Sequence, residues 1–248
     1  MSLLPSSLPR LHVTADLAAG KAVELAREQS NYLLNVLRLS AGDGLLAFNG
    51  RDGEWQMTVV PTGRKSAHLI CVSQTRPQIA PCDLHYLFAP LKHARLDYMA
   101  QKAVEMGAGR LVPVLTRRTQ VSRLNLERMA ANAVEAAEQC GILALPEIVP
   151  ERKLEQALAE LEPSRLLVFC DEDAPLGHGL SALTQTRPGP LALLIGPEGG
   201  FDPSERKLIL AHPAVLRLSL GPRILRADTA AVAALALMQA TLGDWRIA

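Results

Sequence analysis

From Leu84 onward the chain alternates short, almost wholly apolar runs with amphipathic segments, and that alternation leaves it few folds to choose from. The runs are LHYLFAPL (Leu84–Leu91), RLVPVLT (Arg110–Thr116), RLLVFCDE (Arg165–Glu172), LALLIG (Leu191–Gly196) and VLRLSLG (Val215–Gly221). Between and after them, ARLDYMAQKAVEMG (Ala94–Gly107), NLERMAANAVEAAEQCG (Asn125–Gly141), LEQALAELE (Leu154–Glu162), SERKLILAH (Ser204–His212) and DTAAVAALALMQATLG (Asp228–Gly243) read as helices. Strands that are apolar throughout must be covered on both faces. The expected fold is therefore α/β, a mostly parallel sheet with helices on both faces.

The first 75 residues follow another grammar. Helical periodicity is confined to Glu24–Leu39. GDGLLAFNGRDGEWQMTVV (Gly42–Val60) reads as two strands around Asn49-Gly-Arg-Asp-Gly53, whose Asn-Gly and Asp-Gly pairs suit a hairpin turn. SAHLICVSQT (Ser66–Thr75) reads as a further strand. A small β-barrel domain over 1–75 is expected, then a linker, TRPQIAPC (Thr75–Cys82), leading into a domain over 76–248.

Composition narrows the function classes. The chain has 248 residues, 48% hydrophobic and 21% charged, ample apolar material for a core. No apolar run reaches the roughly 18 residues of a membrane span. MSLLPSSLPRLHV lacks a basic segment followed by the sustained apolar stretch of a secretory signal. Cys71, Cys82, Cys140 and Cys170 are scattered, with no Cys-x-x-Cys and no zinc-type spacing to histidine, so free thiols in a reducing cytoplasm and no metal are expected. The net charge of +1 hides an asymmetry: residues 76–130 carry nine Lys/Arg against four acids, residues 131–212 six against thirteen. Either one face meets a polyanion, or the cations cluster on solvated helices.

Three consecutive strands end in unusual chemistry: LLVFCDE in acids, LLIGPEGGF in Gly-Pro-Glu-Gly-Gly, and LSLGPRILRADTA in Gly-Pro-Arg. In open α/β sheets ligands sit beyond such strand ends. No lysine follows either turn as a P-loop requires, and neither turn has the Gly-x-Gly-x-x-Gly of a dinucleotide fold. Proline removes a backbone donor that a phosphate would want, and Glu198 would repel one. A cationic or neutral ligand fits better, and S-adenosylmethionine is such a ligand. The residues alone reach a ligand-binding α/β domain.

LLIGPEGGF with LSLGPRILRADTAAVAAL resembles the signature of the SPOUT class of RNA methyltransferases, and within it the RsmE-type enzymes that methylate N3 of a uridine in 16S ribosomal RNA. LPRLHV, NYLLNVLRLSAGD, APLKHARLDYMAQKAVEMGAGRLVPVLTRRT and AVEAAEQCG extend the resemblance over nearly the whole chain. Two positions depart from it: histidine is usual near Asn31 or Tyr32, and an arginine usually follows soon after Glu138-Gln139-Cys140-Gly141. The resemblance implies a PUA-like β-barrel, RNA-binding, followed by a methyltransferase domain with a C-terminal trefoil knot, working as a homodimer on 16S ribosomal RNA, in the 30S subunit or its precursor. It implies an S-adenosylmethionine pocket formed by Phe169, Cys170, Gly196, Glu198, Gly199, Gly200, Leu218, Ser219, Leu220, Gly221, Ile224, Leu225 and Arg226.

Uridine N3 carries a proton and lies on the pairing edge, so the base must be unpaired and its developing charge balanced. Arg226 is a candidate to stabilise charge on the uracil oxygens, or else it pairs with Asp228. Glu198 is a candidate base or ligand partner, or else it serves neighbouring turn amides. Arg10, Lys92, Arg117, Arg118 and Arg123 are candidate phosphate contacts. The alternatives are another acceptor in the same class, such as a ribose 2′-hydroxyl or guanine N1, a non-catalytic RNA-binding protein, and a dinucleotide oxidoreductase.

Overall fold

The computed structural model describes residues 8–121 and 123–246; the stretch Met1–Ser7, read above for a secretory signal, lies outside them. The chain divides into two compact units, one of residues up to Ala80 with Ala137–Leu145, the other of Pro81–Ala136 with the residues from Pro146 onward.

The first unit comprises β1 (Arg10–His12), β2 (Ala22–Glu24), α1 (Arg27–Asn31), β3 (Gly44–Phe48), β4 (Glu54–Gly63) and β5 (Ser66–Arg76). Its strands pair in the order β1-β3-β4-β5-β2, antiparallel except where β1 joins β3. Register shifts at three places between β4 and β5 bend the ladder. It curves around Leu11, Val23, Leu33, Leu45, Met57, Val59 and Leu69. The hairpin expected around Asn49–Gly53 joins β3 to β4. The periodicity over Glu24–Leu39 resolves differently. Ala22-Val23-Glu24 alternates exposed, buried, exposed as a strand, and only Arg27–Asn31 is α-helical before a wide π turn over Tyr32–Val36. Leu33 is buried while Leu34, Leu37 and Leu39 pack partly against the same core, so the apolar spacing anchors one short segment to the sheet.

Arg10 corrects an expectation. Its Nε donates to Glu54 Oε1 at 2.9 Å, its Nη1 to the carbonyls of Ala137 and Glu138, and its Nη2 to the Ile142 carbonyl at 3.1 Å. The guanidinium also lies 4.6 Å over the Phe48 ring, and the side chain is 11% exposed. Arg10 therefore leaves the set of candidate phosphate contacts and instead ties Ala137–Leu145 to the sheet. Burial works to raise the Glu54 carboxyl, but hydrogen bonds from Arg76 and Arg10 outweigh it and hold that group below its ordinary value.

The second unit comprises β6 (Leu84–Phe88), α2 (His93–Glu105), β7 (Arg110–Leu115), α3 (Leu126–Cys140, its last turn counted with the first unit), β8 (Glu147–Ile148), β9 (Arg152–Lys153), α4 (Leu154–Ala159), β10 (Leu166–Cys170), α5 (His178–Gln185), β11 (Leu191–Ile195), α6 (Pro203–Leu210), β12 (Val215–Leu218) and α7 (Ala227–Thr241). The sheet is parallel, in the order β12-β10-β11-β6-β7-β8, with β9 also pairing to β7. Asn125 caps α3 as expected, its Oδ1 accepting from Arg128 N at 2.9 Å. Residues alternating along the strands serve two layers. Leu87, Val112, Leu167, Phe169, Ala192 and Leu194 share a core with Leu154, Leu158 and Ile209 of α4 and α6. On the other face α7 packs against β11, α2 and α5, burying Ala231, Ala234, Leu235 and Met238.

Candidate cofactor cavity and catalytic residues

The sheet order puts β12, β10 and β11 side by side and parallel, so their carboxyl ends leave the sheet along one edge. The three segments that follow, Asp171–Asp173, Gly196–Phe201 and Ser219–Arg226, wall one cavity of about 360 Å³. That is ample for a nucleoside-sized ligand. Of the residues expected to hold the cofactor, Phe169, Cys170, Gly196, Glu198, Gly200, Leu218, Ser219, Leu220, Gly221, Ile224, Leu225 and Arg226 line it, and Gly199 does not. Residues 169–171, 195–201 and 218–227 are far apart in the chain; strand adjacency brings them together.

Local chemistry fixes each wall. After β11 the chain turns through Pro197–Gly200, with Gly200 N donating to the Pro197 carbonyl at 2.9 Å and Gly200 in the left-handed region at φ 68°. A Cβ on Gly196 would sit 2.6 Å from the Phe201 ring, so that ring lies directly across residue 196. Phe201 in turn meets Phe169 edge-on at 5.4 Å. The turn is pinned by the helix that follows: Asp202 accepts from Ser204 N at 2.9 Å, and Glu205 accepts from Asp202 N at 3.0 Å, a capping box with Pro203 in the first turn. The third wall bends at Gly221, with φ 99°.

The cavity carries both signs of charge. Glu172, Asp173 and Glu198 face Arg206, Arg223 and Arg226, with Ile195, Leu218, Leu220, Leu225 and Ala230 as apolar surface. Asp171, 4% exposed, anchors the floor through Arg206 Nη2 at 2.8 Å and Arg217 Nε at 2.5 Å. Burial works to raise its carboxyl, but the two arginines prevail and hold it below its ordinary 3.8. A depressed folded value means stability that is present above the unfolded value and lost as pH falls through the folded one. Asp171→Asn removes the carboxylate shared by two guanidiniums that are each about a third exposed and is expected to cost about 1–3 kcal/mol near pH 7. In urea titrations the variant and parent curves should converge as pH drops below 3.8; an undiminished gap in acid would contradict this. The Cys170 thiol, raised by burial and by Asp171 to about 12, is neutral and forms wall, not nucleophile. Arg206 Nε is buried without a hydrogen bond, 3.7 Å from Asp173 Oδ2, so its charge is shared between Asp171 and Asp173 in the cavity wall.

The candidate catalytic side chains differ in their freedom. Glu198 Oε1 accepts from Arg95 Nη1 at 2.8 Å, so its carboxylate is engaged by a cation and not by turn amides. Arg226 is exposed at the head of α7, and Asp228, its alternative partner, is bound instead by Arg95 at 2.9 and 3.1 Å. Lys92, Arg117, Arg118 and Arg123 are exposed. Two of them also reach the cavity's supporting turn: Arg118 Nη1 donates to the Gly199 carbonyl at 2.5 Å, and Arg117 Nη1 lies 3.3 Å from Asp202 Oδ1.

Sequence reasoning missed Asp171, Glu172, Asp173, Phe201, Arg206 and Arg223 as lining residues. The acids had a signal, since CDED continues directly from a strand end. Arg206 had none, because its partner Asp171 lies 35 residues away.

Comparison with known proteins bears on the same residues. The family described as RNA methyltransferase domain matches residues 78–239, more than half of the chain. The family described as RNA methyltransferase PUA domain matches residues 25–70. A ribosomal RNA small subunit methyltransferase E from Synechocystis is 31% identical, covering 94% of this chain and 78% of its own. One of that name from Rickettsia conorii is 28% identical, covering 92% and 93%. Among solved structures, a methyltransferase from Legionella pneumophila with bound S-adenosylmethionine superposes with a TM-score of 0.82 at 29% identity, over 96% of this chain and all of that one. A ribosomal RNA small subunit methyltransferase E from Neisseria gonorrhoeae, also bound to S-adenosylmethionine, gives 0.82 at 25% identity, over 95% and 98%. With a parallel sheet whose last three strand ends form one cavity, and with these matches along its length, the chain belongs to the RNA methyltransferase family.

Proposed function

We propose that this protein transfers the methyl group of S-adenosylmethionine to N3 of a specific uridine in 16S ribosomal RNA, in the cytoplasm and as a homodimer. The observation that carries this reading is the single cavity shared by the two proline-bearing loops. Its residues suit the ligand. The carboxylates of Glu172, Asp173 and Glu198 favour a sulfonium and an ammonium, and the guanidiniums of Arg206, Arg223 and Arg226 favour a carboxylate. The apolar side chains of Leu218, Leu220 and Leu225 offer a slot for an adenine ring. When bound, the cofactor supplies an electrophilic methyl carbon.

The chain's own residues do the rest. The Pro197–Gly200 turn and the Ser219–Arg226 loop fix where the donor lies, which is the alignment an in-line transfer needs. Arg226 balances negative charge on the uracil oxygens as the N3 proton passes to solvent water. Lys92, Arg117, Arg118 and Arg123 hold phosphates and so present the base, whose unstacking costs a few kcal/mol. The first unit adds the RNA grip of a PUA-like domain. Two observations support the finer parts. The chain leaves edge strand β12 and returns in α7 to pack on β11 and α2, a return that the knotted C-terminus implied by the resemblance would contain. The outer side of α7 keeps Val232, Ala233, Ala236 and Leu237 half-exposed, and Ile224 is 93% exposed, an apolar face suited to a second copy.

The test is to incubate the purified protein with methyl-labelled S-adenosylmethionine and 16S ribosomal RNA, free or in 30S subunits, and to map the product by nuclease digestion and mass spectrometry. N3-methyluridine at one position is expected. A mark on ribose or on guanine would overturn the acceptor, and absence of transfer to either substrate would overturn the reading.

A further inference from the structure

Arg95 stands in the first turn of α2 and belongs to none of the strand-end segments, yet it touches one of them and the helical turn that follows another. Its Nη1 lies 2.8 Å from Glu198 in the turn after β11. Its Nε and Nη2 form a fork on Asp228, at 2.9 and 3.1 Å, in the first turn of α7 just beyond the loop after β12. We infer that Arg95 is a positioning residue that sets the separation of the two cavity loops by bridging Glu198 and Asp228. This inference rests on the cofactor reading above.

Geometry favours one guanidinium acting on both acids. Arginine presents its donors in a rigid plane, so one edge can clamp a carboxylate while another reaches a second. The three side chains are 32%, 50% and 16% exposed, so the bridge is partly shielded. An isolated surface pair would contribute little to stability. Here the effect lies in restricting two loops that wall the same cavity. The Asp228 fork raises the Arg95 guanidinium's pKa, and the same contact lowers the Asp228 carboxyl, so the pair stays charged throughout the neutral range. The turn is held from its other side as well, by Arg118 on the Gly199 carbonyl.

The experiment is a double-mutant cycle, read by calorimetric titration with S-adenosylhomocysteine and by steady-state kinetics, with thermal melts of the unliganded proteins. Arg95→Gln is expected to weaken ligand affinity and raise KM for the donor roughly tenfold, with a much smaller change in kcat. Arg95→Lys, a single point charge, should restore part of the affinity. Arg95→Gln combined with Asp228→Asn, whose side chain does not line the cavity, should bind no worse than Arg95→Gln alone. Unaltered affinity in Arg95→Gln, or effects that multiply in the double variant, would overturn the inference. Should Arg95→Gln fail to fold, Asp228→Asn carries the test, and full affinity there would overturn it equally. Failure of the parent protein to bind S-adenosylhomocysteine would instead sink the cofactor reading.

Discussion

Gly221→Val is expected to remove most of the affinity for S-adenosylhomocysteine while leaving the two units folded. Gly221 sits at φ 99°, with no atom within 4 Å of where a Cβ would stand, so the substitution meets strain and not a clash. A side chain at positive φ costs about 1–2 kcal/mol, and a branched one is a genuine outlier there. The loop relieves that strain by moving, and residues 222–226, which it carries, line the cavity. A loss of roughly 2 kcal/mol corresponds to about thirtyfold in affinity. Gly199→Ala is the matched control. That residue is outside the left-handed region, and its Cβ would stand 3.5 Å from Arg118 Cδ, an ordinary contact. Its affinity should stay within about threefold of the parent. Equal losses at both positions would show that the turns are merely sensitive, and that backbone geometry at Gly221 is not what matters.

Arg226→Ala is expected to lower kcat by roughly 10²–10³-fold, the range for loss of a single group that stabilises developing charge. Its affinity for S-adenosylhomocysteine should change little. The split separates the two roles expected of this residue: an Arg226 that mainly gripped the cofactor would show the reverse pattern. Arg226→Lys should recover only part of the rate, since an ammonium cannot fork two oxygens. Single-turnover rates on 16S ribosomal RNA read this directly. A parental rate in Arg226→Ala would remove the residue from the chemistry.

How much of this was legible before the structure depended on how local each signal was. The α/β grammar was local, because a strand covered on both faces has to be apolar at every position. The cavity loops were local too, each being a short run of glycine and proline directly after a strand. Their meeting was not: it depends on β10 lying between β11 and β12, a pairing that no single stretch encodes. Charges were the least legible. Reading 76–130 as a basic face for RNA was only part of the matter, since Arg95, Arg117 and Arg118 from that block reach Glu198, Asp202 and the Gly199 carbonyl. Arg10 looked like a free cation because its acid, Glu54, lies 44 residues on, and the carbonyls it serves lie beyond residue 136. The Glu24–Leu39 periodicity marks the helical stretch from Arg27 to Val36 but overruns it, because Leu25, Leu37 and Leu39 on either side pack against the same core.

The most direct measurement is a crystal structure of the protein with S-adenosylhomocysteine. The ligand is expected between Gly196–Phe201 and Leu218–Arg226, its amino-acid end among Glu172, Asp173 and Arg206 and its base against Leu218, Leu220 and Leu225. Ligand bound within the first unit, or those two loops occupying separate places with nothing between them, would contradict it.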